Sequence, residues 1–540
     1  MPNQSITIAQ AIARYLRQLG VARIFGIPGG GSSLDLIDAA QSLGIQFVLA
    51  RTESAAVIMA ACSAELSGVI GVALTGVGPG LANAVNGIAY ASLDRAPVLI
   101  IADGIASQSL RFVTHQRFDQ LDLVVPITKS RARIDAGNFA VELPRIISAA
   151  MAPPLGPVLL ELDGVTAAQT AGALGPVETA TLPDVDSDAI EQGQRLLHNS
   201  RRPVIIAGLE CTSPAGVLAV RGLHAQLDCP VFTTYKAKGV VADFDPRCIG
   251  LFTGGSAESK CIAGADLIVM LGLDPVELIP QDWRYDAPIL ELAHIPYSIH
   301  YVKAALRFTG DWEPAIEHWC NTKFDNDWTA AELSEYKNGM RARIRNYTST
   351  RAAAKLTAPE VIDTALEIFG GDVRVTIDAG AHMFSAIALW PAANTGDVLI
   401  SNGLASMAFA LPAAIAAALH DPSRAVVTFI GDGGLLMCLG ELATAAELEV
   451  NLTIVVFNDS ALSLIDIKQQ QRGFPTTGVR WNEIDLAACA AGFDIMTMRA
   501  RSLHQYRDAL RRAAKISGPV LLDVRIDPTG YRQQLRALRG

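Results

Sequence analysis

The sequence predicts an α/β protein of three domains, each built on a doubly wound parallel sheet. The chain has 540 residues, which is too long for one hydrophobic core and suits about three domains of ordinary size. Short apolar runs alternate with helical stretches along most of it, as they do where helices cover both faces of a parallel sheet. A stretch of little periodicity near residue 180 and a polar, helix-prone stretch before residue 351 separate these regions.

The first domain is predicted at residues 1–180. Thr7 is placed to cap an amphipathic helix that runs to about Leu19 and that Gly20 ends. A short strand is expected at 21–27, and a Pro-Gly-Gly-Gly turn follows it. Apolar runs at 70–74, 98–102 and 158–162 predict further strands of the same sheet.

The second domain is predicted at residues 181–345 and the third at 346–540. The stretch 169–188 has the composition of a linker, and 311–351 is polar and helix-prone, which indicates a second connector. Thr357 and Glu360 have the spacing of a capping box and open the third domain. Strands are expected at 203–207, 230–232, 267–271, 373–377, 398–401, 425–430, 452–457 and 520–524.

Composition excludes several function classes. Half of the residues are apolar and the net charge is −10, so nothing favours a nucleic-acid partner or an anionic membrane surface. The eight cysteines are scattered without Cys-x-x-Cys spacing, which predicts neither a zinc site nor a disulfide framework. The N-terminus lacks the pattern of a signal peptide, and we expect a cytoplasmic protein with small-molecule ligands.

The third domain carries the clearest chemical pattern. Asp432 lies in a glycine turn after an apolar strand, and Asp459 follows the next strand. In a right-handed strand–helix–strand unit the carboxyl ends of both strands lie side by side, so the two carboxylates should converge. Such a pair suits Mg²⁺ or Ca²⁺, and Mg²⁺ commonly completes its shell with water and phosphate.

A helix of about fifteen residues is expected between Gly434 and Glu449. Its N-terminus, preceded by glycines that let the backbone approach a ligand, would favour a metal-bridged diphosphate. Gly-Asp-Gly taken alone is more often an ordinary turn.

A resemblance to a known family adds to this pattern. Gly431-Asp432-Gly433, Glu441-Leu442-Ala443-Thr444 and Asn458-Asp459 resemble the cofactor signature of thiamine-diphosphate enzymes, which begins Gly-Asp-Gly and ends Asn-Asn. Residues 25–30 resemble the family's Phe-Gly-x-Pro-Gly turn, 76–83 its Ser-Gly-Pro-Gly-x-x-Asn loop, and 401–412 its Gly-Gly-Leu-Gly-x-Met-Gly-Phe-Gly-Leu-Pro stretch. The chain is thereby similar to the acetolactate synthase-like superfamily, which includes acetohydroxyacid synthase, benzoylformate decarboxylase and 2-hydroxyacyl-CoA lyase.

The resemblance implies pyrimidine-binding, central Rossmann-like and diphosphate-binding domains in that order, with thiamine diphosphate and Mg²⁺ as cofactors. Asp432, Asp459 and the Ala461 carbonyl would ligate the metal, although the family has Asn where Asp459 stands. Further implied cofactor contacts are Pro28, Gly29, Gly78, Asn83, Ala381, His382, Ala405, Met407, Gly431, Gly433, Gly434 and Leu464.

Two residues are implied to be catalytic. Glu53 matches the glutamate that hydrogen-bonds the aminopyrimidine ring and serves as its acid–base switch. Gln116 matches a Gln that reaches the active site. Met407 matches the wedge that keeps the cofactor bent. The substrate candidates are Gly30, His115 and Lys468, the last of which stands where acetolactate synthases have a tryptophan.

The resemblance predicts a 2-oxo acid decarboxylase or carboligase with pyruvate as donor. The His-His pair of simple pyruvate decarboxylases and the early-turn serine of benzoylformate decarboxylases have no counterpart, which favours a carboligase. The alternatives are a 2-hydroxyacyl-CoA lyase, an oxalyl-CoA or benzoylformate-type decarboxylase, and a non-catalytic paralogue that binds the cofactor. FAD in the central domain is left open, with its absence expected because no phosphate-cradling glycine run occurs there.

An oligomer is implied as well. In the family, the first domain of one subunit faces the third domain of another across the cofactor. Glu53 and Asp432 would then serve one site from two chains. We therefore expect a homodimer at least, and a homotetramer by resemblance.

Overall fold

The computed structural model describes residues 6–177, 181–278, 282–300, 302–345 and 356–539. Three parallel sheets follow one another along the chain, which confirms the predicted fold class. The chain divides into two compact units. The first unit comprises Met1–Ala180, Gly403–Ser423 and Leu436–Leu452, and the second comprises Thr181–Asn402, Arg424–Leu435 and Thr453–Gly540.

The first sheet lies in the first unit and has the strand order β2-β1-β3-β4-β6-β5. Strands β3, β4 and β6 are buried along their whole length, because helices cover both faces of the sheet. Its strands are β1 (Arg23–Gly26), β2 (Gln46–Leu49), β3 (Gly71–Thr75), β4 (Val98–Asp103), β5 (Ser130–Arg133) and β6 (Val158–Leu162). Its helices are α1 (Ile8–Gln18), α2 (Ser32–Gln41), α3 (Glu53–Ser67), α4 (Pro79–Leu93), α5 (Gln120–Leu123), α6 (Phe139–Met151) and α7 (Gly164–Ala167).

Helix α1 begins as predicted. Thr7 is its N-cap and forms a capping box with Gln10. These bonds satisfy backbone donors that the first turn of a helix leaves without partners. The helix ends one residue before the predicted Leu19, which is its C-cap.

The second sheet belongs to the second unit and has the order β12-β11-β10-β7-β8-β9. Its strands are β7 (Pro203–Ala207), β8 (Val231–Thr233), β9 (Cys248–Leu251), β10 (Leu267–Leu271), β11 (Ile289–Ala293) and β12 (Leu306–Thr309). The helices in this part are α8 (Ser187–Asn199), α9 (Pro214–Leu227), α10 (Ser259–Ile262), α11 (Glu313–Cys320) and α12 (Ala330–Arg345). Helices α11 and α12 confirm that the stretch 311–345 is helix-prone. Its role as a connector stays a prediction, and residues 346–351 lie outside the described part.

The third sheet has the order β13-β19-β17-β16-β14-β15, and β18 pairs with β19. Thr357 caps α13 in the predicted capping box with Glu360. The strands are β13 (Leu356–Thr357), β14 (Arg374–Ile377), β15 (Val398–Ile400), β16 (Val426–Gly431), β17 (Leu452–Asn458), β18 (Met496–Ala500) and β19 (Val520–Asp527). The helices are α13 (Ala358–Phe369), α14 (Met383–Leu389), α15 (Ala410–His420), α16 (Asp432–Met437), α17 (Glu441–Glu447), α18 (Ser463–Gln471), α19 (Leu486–Ala491), α20 (Leu503–Ala513) and α21 (Tyr531–Arg539).

The prediction of one helix of about fifteen residues after Gly434 was wrong. The chain forms two helices, α16 and α17, and α16 already begins at Asp432. A turn at 438–440 separates them. Glu441, the first residue of α17, accepts hydrogen bonds from the backbone N–H groups of Arg51 and Thr52 at 2.9 and 3.0 Å. These long-range bonds fix the start of α17 and replace the continuous helix.

All eight cysteines are free, as their spacing predicted. Within the described ranges, none of the helices combines the length and the apolarity that crossing a bilayer requires. The predicted domain limits of 1–180, 181–345 and 346–540 stay predictions. Residues 178–180 and 346–355, where those limits fall, lie outside the described residues.

Candidate active site

Two carboxylates meet at the carboxyl edge of the third sheet. Strands β16 and β17 are neighbours, and Asp432 and Asp459 directly follow them. The Asp432 carboxylate accepts hydrogen bonds from the N–H of Gly433 at 2.9 Å and from the N–H of Ser460 at 2.7 Å. Because Ser460 is the residue after Asp459, the structure brings the two predicted metal ligands together.

The electrostatics of this pair suit a cation. Burial, and then the charge of Asp459, raise the pKa of Asp432 to about 7. A divalent cation between the carboxylates would remove that repulsion. Within the described residues there is no cluster of three or more His, Cys, Asp or Glu side chains arranged to hold a metal. Two carboxylates are enough for Mg²⁺, which usually keeps water and phosphate oxygens as further ligands.

The turn after β17 holds Asp459 in place. The Ser463 hydroxyl donates to Asp459 Oδ2, and Ser460 has the left-handed φ of +59°. Ala461 forms an antiparallel bridge with Arg480. The bridge bonds run through Ser460 O and Leu462 N, so the Ala461 carbonyl takes part in neither of them.

A side-chain network under this turn went unpredicted. Asn458 Nδ2 donates to Asp523 Oδ1 at 2.7 Å, and Asn458 Oδ1 accepts from Arg525 Nη1 at 3.0 Å. Arg525 also pairs with Glu483. The sequence offered one signal, which is the presence of charged residues, Asp523 and Arg525, between apolar residues within strand β19.

Ala381 and His382 lie between β14 and α14, and both are buried. The His382 ring stacks on Phe457 with 5.0 Å between centroids. Burial lowers the pKa of His382 to about 4, so the ring is neutral at physiological pH. Among the described residues its Nε2 has no hydrogen-bond partner. Such an orphaned polar atom fits a bound ligand group better than an apolar core.

Glycine is required at position 434. A Cβ added there would lie 2.0 Å from Asp378 Oδ2, far inside van der Waals contact. Gly431 ends β16, and Gly433 and Gly434 fall in the first turn of α16. Gly433 and Gly434 are buried, and Asp378 fills the space that a side chain at position 434 would need.

In the first unit, Glu53 is the first residue of α3 and is 8% exposed. Thr52 caps the helix by accepting from the N–H of Ala55. A Cβ added to Gly80 would lie 3.5 Å from Glu53 Oε1, which places the carboxyl over the start of α4. Glu53 is therefore a buried carboxyl on a helix N-terminus and not a solvated residue.

The predicted Pro28–Gly30 turn is organised by Asp103, whose role went unpredicted. Asp103 ends β4 and accepts hydrogen bonds from Gly31 N at 3.2 Å and from Ser33 N at 2.7 Å. Gly29 N donates to Ser33 Oγ at 2.9 Å. The turn thus wraps around one carboxylate, with Gly30 on its open side.

Gly78 and Gln116 pack against each other. Gly78 has a φ of +61°, and a Cβ added there would lie 2.3 Å from the Gln116 carbonyl oxygen. Gln116 itself has a φ of +56°. Gly78 N donates to Gln120 Oε1 at 2.9 Å. Gln120, which was also not predicted, joins the loop of Gly78 to the segment that follows Gln116. The resemblance treats these two turns separately.

A cavity of about 410 Å³ opens beside these turns in the first unit. Gln116 and Gln120 line it together with the ion pair between Arg133 and Glu161, whose Nε–Oε1 distance is 2.7 Å. His115 is exposed next to Gln116, and Asn83 is exposed on α4.

The segment 403–409 belongs to the first unit and has an irregular backbone. Ala405 and Ala408 have positive φ values of +53° and +66°, which L residues adopt only when the surroundings hold them. Ser406 Oγ accepts a 3.1 Å hydrogen bond from Asn86 on α4. Met407 lies between these alanines and is half-buried.

Leu464 and Lys468 lie on α18 in the second unit. Leu464 packs partly buried against the core, whereas Lys468 is exposed. Asp466 between them is already bonded to Arg480, Thr476 and Gln470.

The candidates thus fall into two groups. Asp432, Asp459, Ala461, Ala381, His382, Gly431, Gly433, Gly434, Leu464 and Lys468 belong to the second unit, and Glu53, Gln116, Pro28, Gly29, Gly30, Gly78, Asn83, His115, Ala405 and Met407 belong to the first.

Comparison with known proteins finds three domains of one family in the same order. The chain matches the thiamine pyrophosphate enzyme N-terminal TPP binding domain over residues 6–123, the central domain over 190–318, and the C-terminal TPP binding domain over 378–524. Thiamine pyrophosphate is another name for thiamine diphosphate.

Curated relatives match almost end to end. The chain is 28% identical to an acetolactate synthase of Bacillus subtilis, over 96% of this chain and 93% of the relative. It is 28% identical to the acetolactate synthase isozyme 1 large subunit of Escherichia coli, over 96% and 94%. A pyruvate oxidase of Lactiplantibacillus plantarum is 26% identical, over 98% and 89%. With all three domains present in order, the chain belongs to the thiamine-diphosphate-dependent enzymes and is acetolactate synthase-like.

Proposed function

We propose that the protein is a Mg²⁺- and thiamine-diphosphate-dependent decarboxylase and carboligase of 2-oxo acids, with pyruvate as donor. The observation that carries this proposal is the convergence of Asp432 and Asp459 on one buried edge of the third sheet. The acetolactate synthase and pyruvate oxidase relatives support a small 2-oxo acid as substrate.

In this proposal Asp432 and Asp459 hold Mg²⁺, and the metal and the backbone near Gly433 hold the diphosphate. His382 offers its neutral ring as a further contact. Bound thiamine diphosphate would supply a carbon nucleophile that adds to the substrate carbonyl and accepts the electrons released with carbon dioxide.

Glu53 would move the proton that the reaction needs. Its carboxyl is buried at the N-terminus of α3 and would share that proton with the aminopyrimidine ring. Met407, which lies between two alanines of positive φ, would press the cofactor into a bent shape. The cavity beside Gln116 would admit substrate, and His115 and Gly30 lie on neighbouring turns.

We also propose that the central domain takes no flavin. Ligands of open α/β sheets bind where the carboxyl ends of the strands meet, and here the protein's own carboxylates occupy backbone donors at that edge. Glu277 accepts from Leu209 N at 2.8 Å, and Glu210 accepts from His294 N at 2.8 Å. A dinucleotide diphosphate would meet backbone donors that are already used.

Turnover of pyruvate with Mg²⁺ and thiamine diphosphate tests the proposal. We expect release of carbon dioxide together with a carboligation product. No carbon dioxide from pyruvate or from other 2-oxo acids, under conditions in which the protein binds the cofactor, would favour an acyl-CoA lyase or a non-catalytic paralogue instead.

A further inference from the structure

Arg525 reaches the turn that carries Asp459. In the parallel pairing of β17 with β19, Arg525 is the register partner of Asn458. Its Nη1 donates to Asn458 Oδ1 at 3.0 Å and lies 3.4 Å from Ser460 Oγ. The guanidinium therefore contacts the residue before Asp459 and the residue after it.

This turn needs support because its geometry is unfavourable. Ser460 has a left-handed φ of +59°, which costs a non-glycine residue about 1 kcal/mol or more. The same residue gives its N–H to Asp432 at 2.7 Å. Loss of this conformation would separate Asp459 from Asp432.

Arg525 is itself mostly buried. Its side chain is 13% exposed and pairs with Glu483. Asn458 is fixed from its other end by Asp523 at 2.7 Å. A planar guanidinium can hold two acceptors in fixed directions, which the single ammonium of lysine cannot do.

We propose that Arg525 is a positioning residue for the cation site, which holds the Asn458–Ser460 turn so that Asp459 faces Asp432. This inference rests on the proposed function, because it takes the two carboxylates to bind Mg²⁺. Strand β17 alone leaves Asp459 at the start of a strained turn. In this proposal, the contacts of Arg525 are what align that ligand with Asp432.

The sign of the effect separates positioning from simple electrostatics. Arg525 also lowers the pKa of Asp432, so the comparison is made at a pH well above 7, where Asp432 is ionised with or without it. By Coulomb's law, removing a positive charge from the neighbourhood of the site then strengthens divalent-cation binding. Removing a residue that orients a ligand weakens it, typically by 10- to 100-fold for such supporting contacts, on the order seen in other metal sites.

The experiment measures the Mg²⁺ concentration needed for half-maximal thiamine diphosphate uptake, by calorimetry on the full chain. We expect Arg525→Met to raise this concentration about tenfold or more. Arg525→Lys, which keeps the charge but loses the two-acceptor geometry, should raise it as well. Arg507→Met is the matched control, since Arg507 lies on α20 and pairs with Glu367 at 2.9 Å, and this substitution should leave the required Mg²⁺ concentration unchanged.

If either Arg525 variant needs the same Mg²⁺ concentration as the wild-type protein, or a lower one, the positioning role is overturned. Unfolding curves without metal check that each variant is folded. If Arg525→Met does not fold, Arg525→Lys alone provides the test. If the wild-type protein takes up no cofactor at any Mg²⁺ concentration, the proposed function itself fails, which is a different result from equal uptake by wild type and variants.

Discussion

The N–H of Ser460 donates a 2.7 Å hydrogen bond to Asp432 Oδ2, so the turn after one strand is tied directly to the carboxylate after its neighbour. This single bond links the two halves of the candidate cation site. It also means that the charge state of Asp432 bears on both metal binding and folding.

Asp432→Asn should abolish Mg²⁺-dependent cofactor uptake and stabilise the metal-free protein. The pKa of Asp432 is about 7 in the folded protein against 3.8 as the ordinary value. Its ionisation therefore costs folding free energy that grows as pH rises above about 4 and is complete above about 7. The stability gain should be larger at pH 8 than at pH 5 by on the order of 2 kcal/mol, measured by denaturant unfolding. Asp325→Asn, at an exposed carboxyl that pairs with Arg201, should show no such pH-dependent gain.

The affinity for Mg²⁺ should fall with acidity. A metal ligand must lose its proton before it binds, and the pKa of Asp432 is raised to about 7 by burial and by Asp459. Below that pH we expect about a tenfold loss of affinity per pH unit. Titrating Mg²⁺ at fixed thiamine diphosphate between pH 5.5 and about 8 would measure it, and a flat profile would contradict the raised pKa.

Glu53→Gln should separate binding from catalysis. The amide keeps the size and polarity of the side chain but lacks the exchangeable proton, so cofactor affinity should stay within a few-fold while turnover drops about 10²- to 10⁴-fold. Calorimetry and carbon dioxide release measure the two quantities. An active Glu53→Gln protein would contradict its assignment as the proton switch.

Mixing two inactive variants should restore activity. If each site takes Glu53 from one subunit and Asp432 from the other, a hybrid of Glu53→Gln and Asp432→Asn chains contains one intact site. Random mixing into dimers then gives about a quarter of the wild-type sites. Each variant refolded alone is the control. If verified hybrids regain no activity, the two residues of a site must come from one chain.

Gly78→Ala should disrupt the turn around Gln116, whereas Gly76→Ala should not. At Gly78 the backbone has a φ of +61° and a Cβ would lie 2.3 Å from the Gln116 carbonyl, so the substitution should cost on the order of 2–3 kcal/mol. At Gly76 the nearest atom would be 3.5 Å away, which is ordinary contact. Thermal unfolding compares them, and equal stability would contradict the packing described.

The sequence alone predicted the features that residue type, spacing and chain handedness determine. The convergence of Asp432 and Asp459 follows from the handedness of strand–helix–strand units, and the caps at Thr7 and Thr357 follow from residue type and spacing. The resemblance then named candidates such as Glu53 and Gln116, whose roles stay predictions.

The sequence failed where a partner is distant along the chain. The break between α16 and α17 depends on Glu441 accepting bonds from Arg51 and Thr52, and no local pattern marks that contact. Arg525 and Gln120 were missed for the same reason, because each acts through hydrogen bonds made across a sheet or between two loops.

Helix α3 is apolar almost all round and packs against α15 as well as α4 within the first unit. On the ribosome, residues 53–67 emerge long before residues 410–420. Until then the nascent first domain presents an uncovered flank of small apolar side chains, a surface that chaperones bind and that promotes aggregation. During synthesis of this enzyme, α3 therefore stays uncovered until α15, some 350 residues downstream, has been made. This interval lasts on the order of half a minute at ordinary elongation rates.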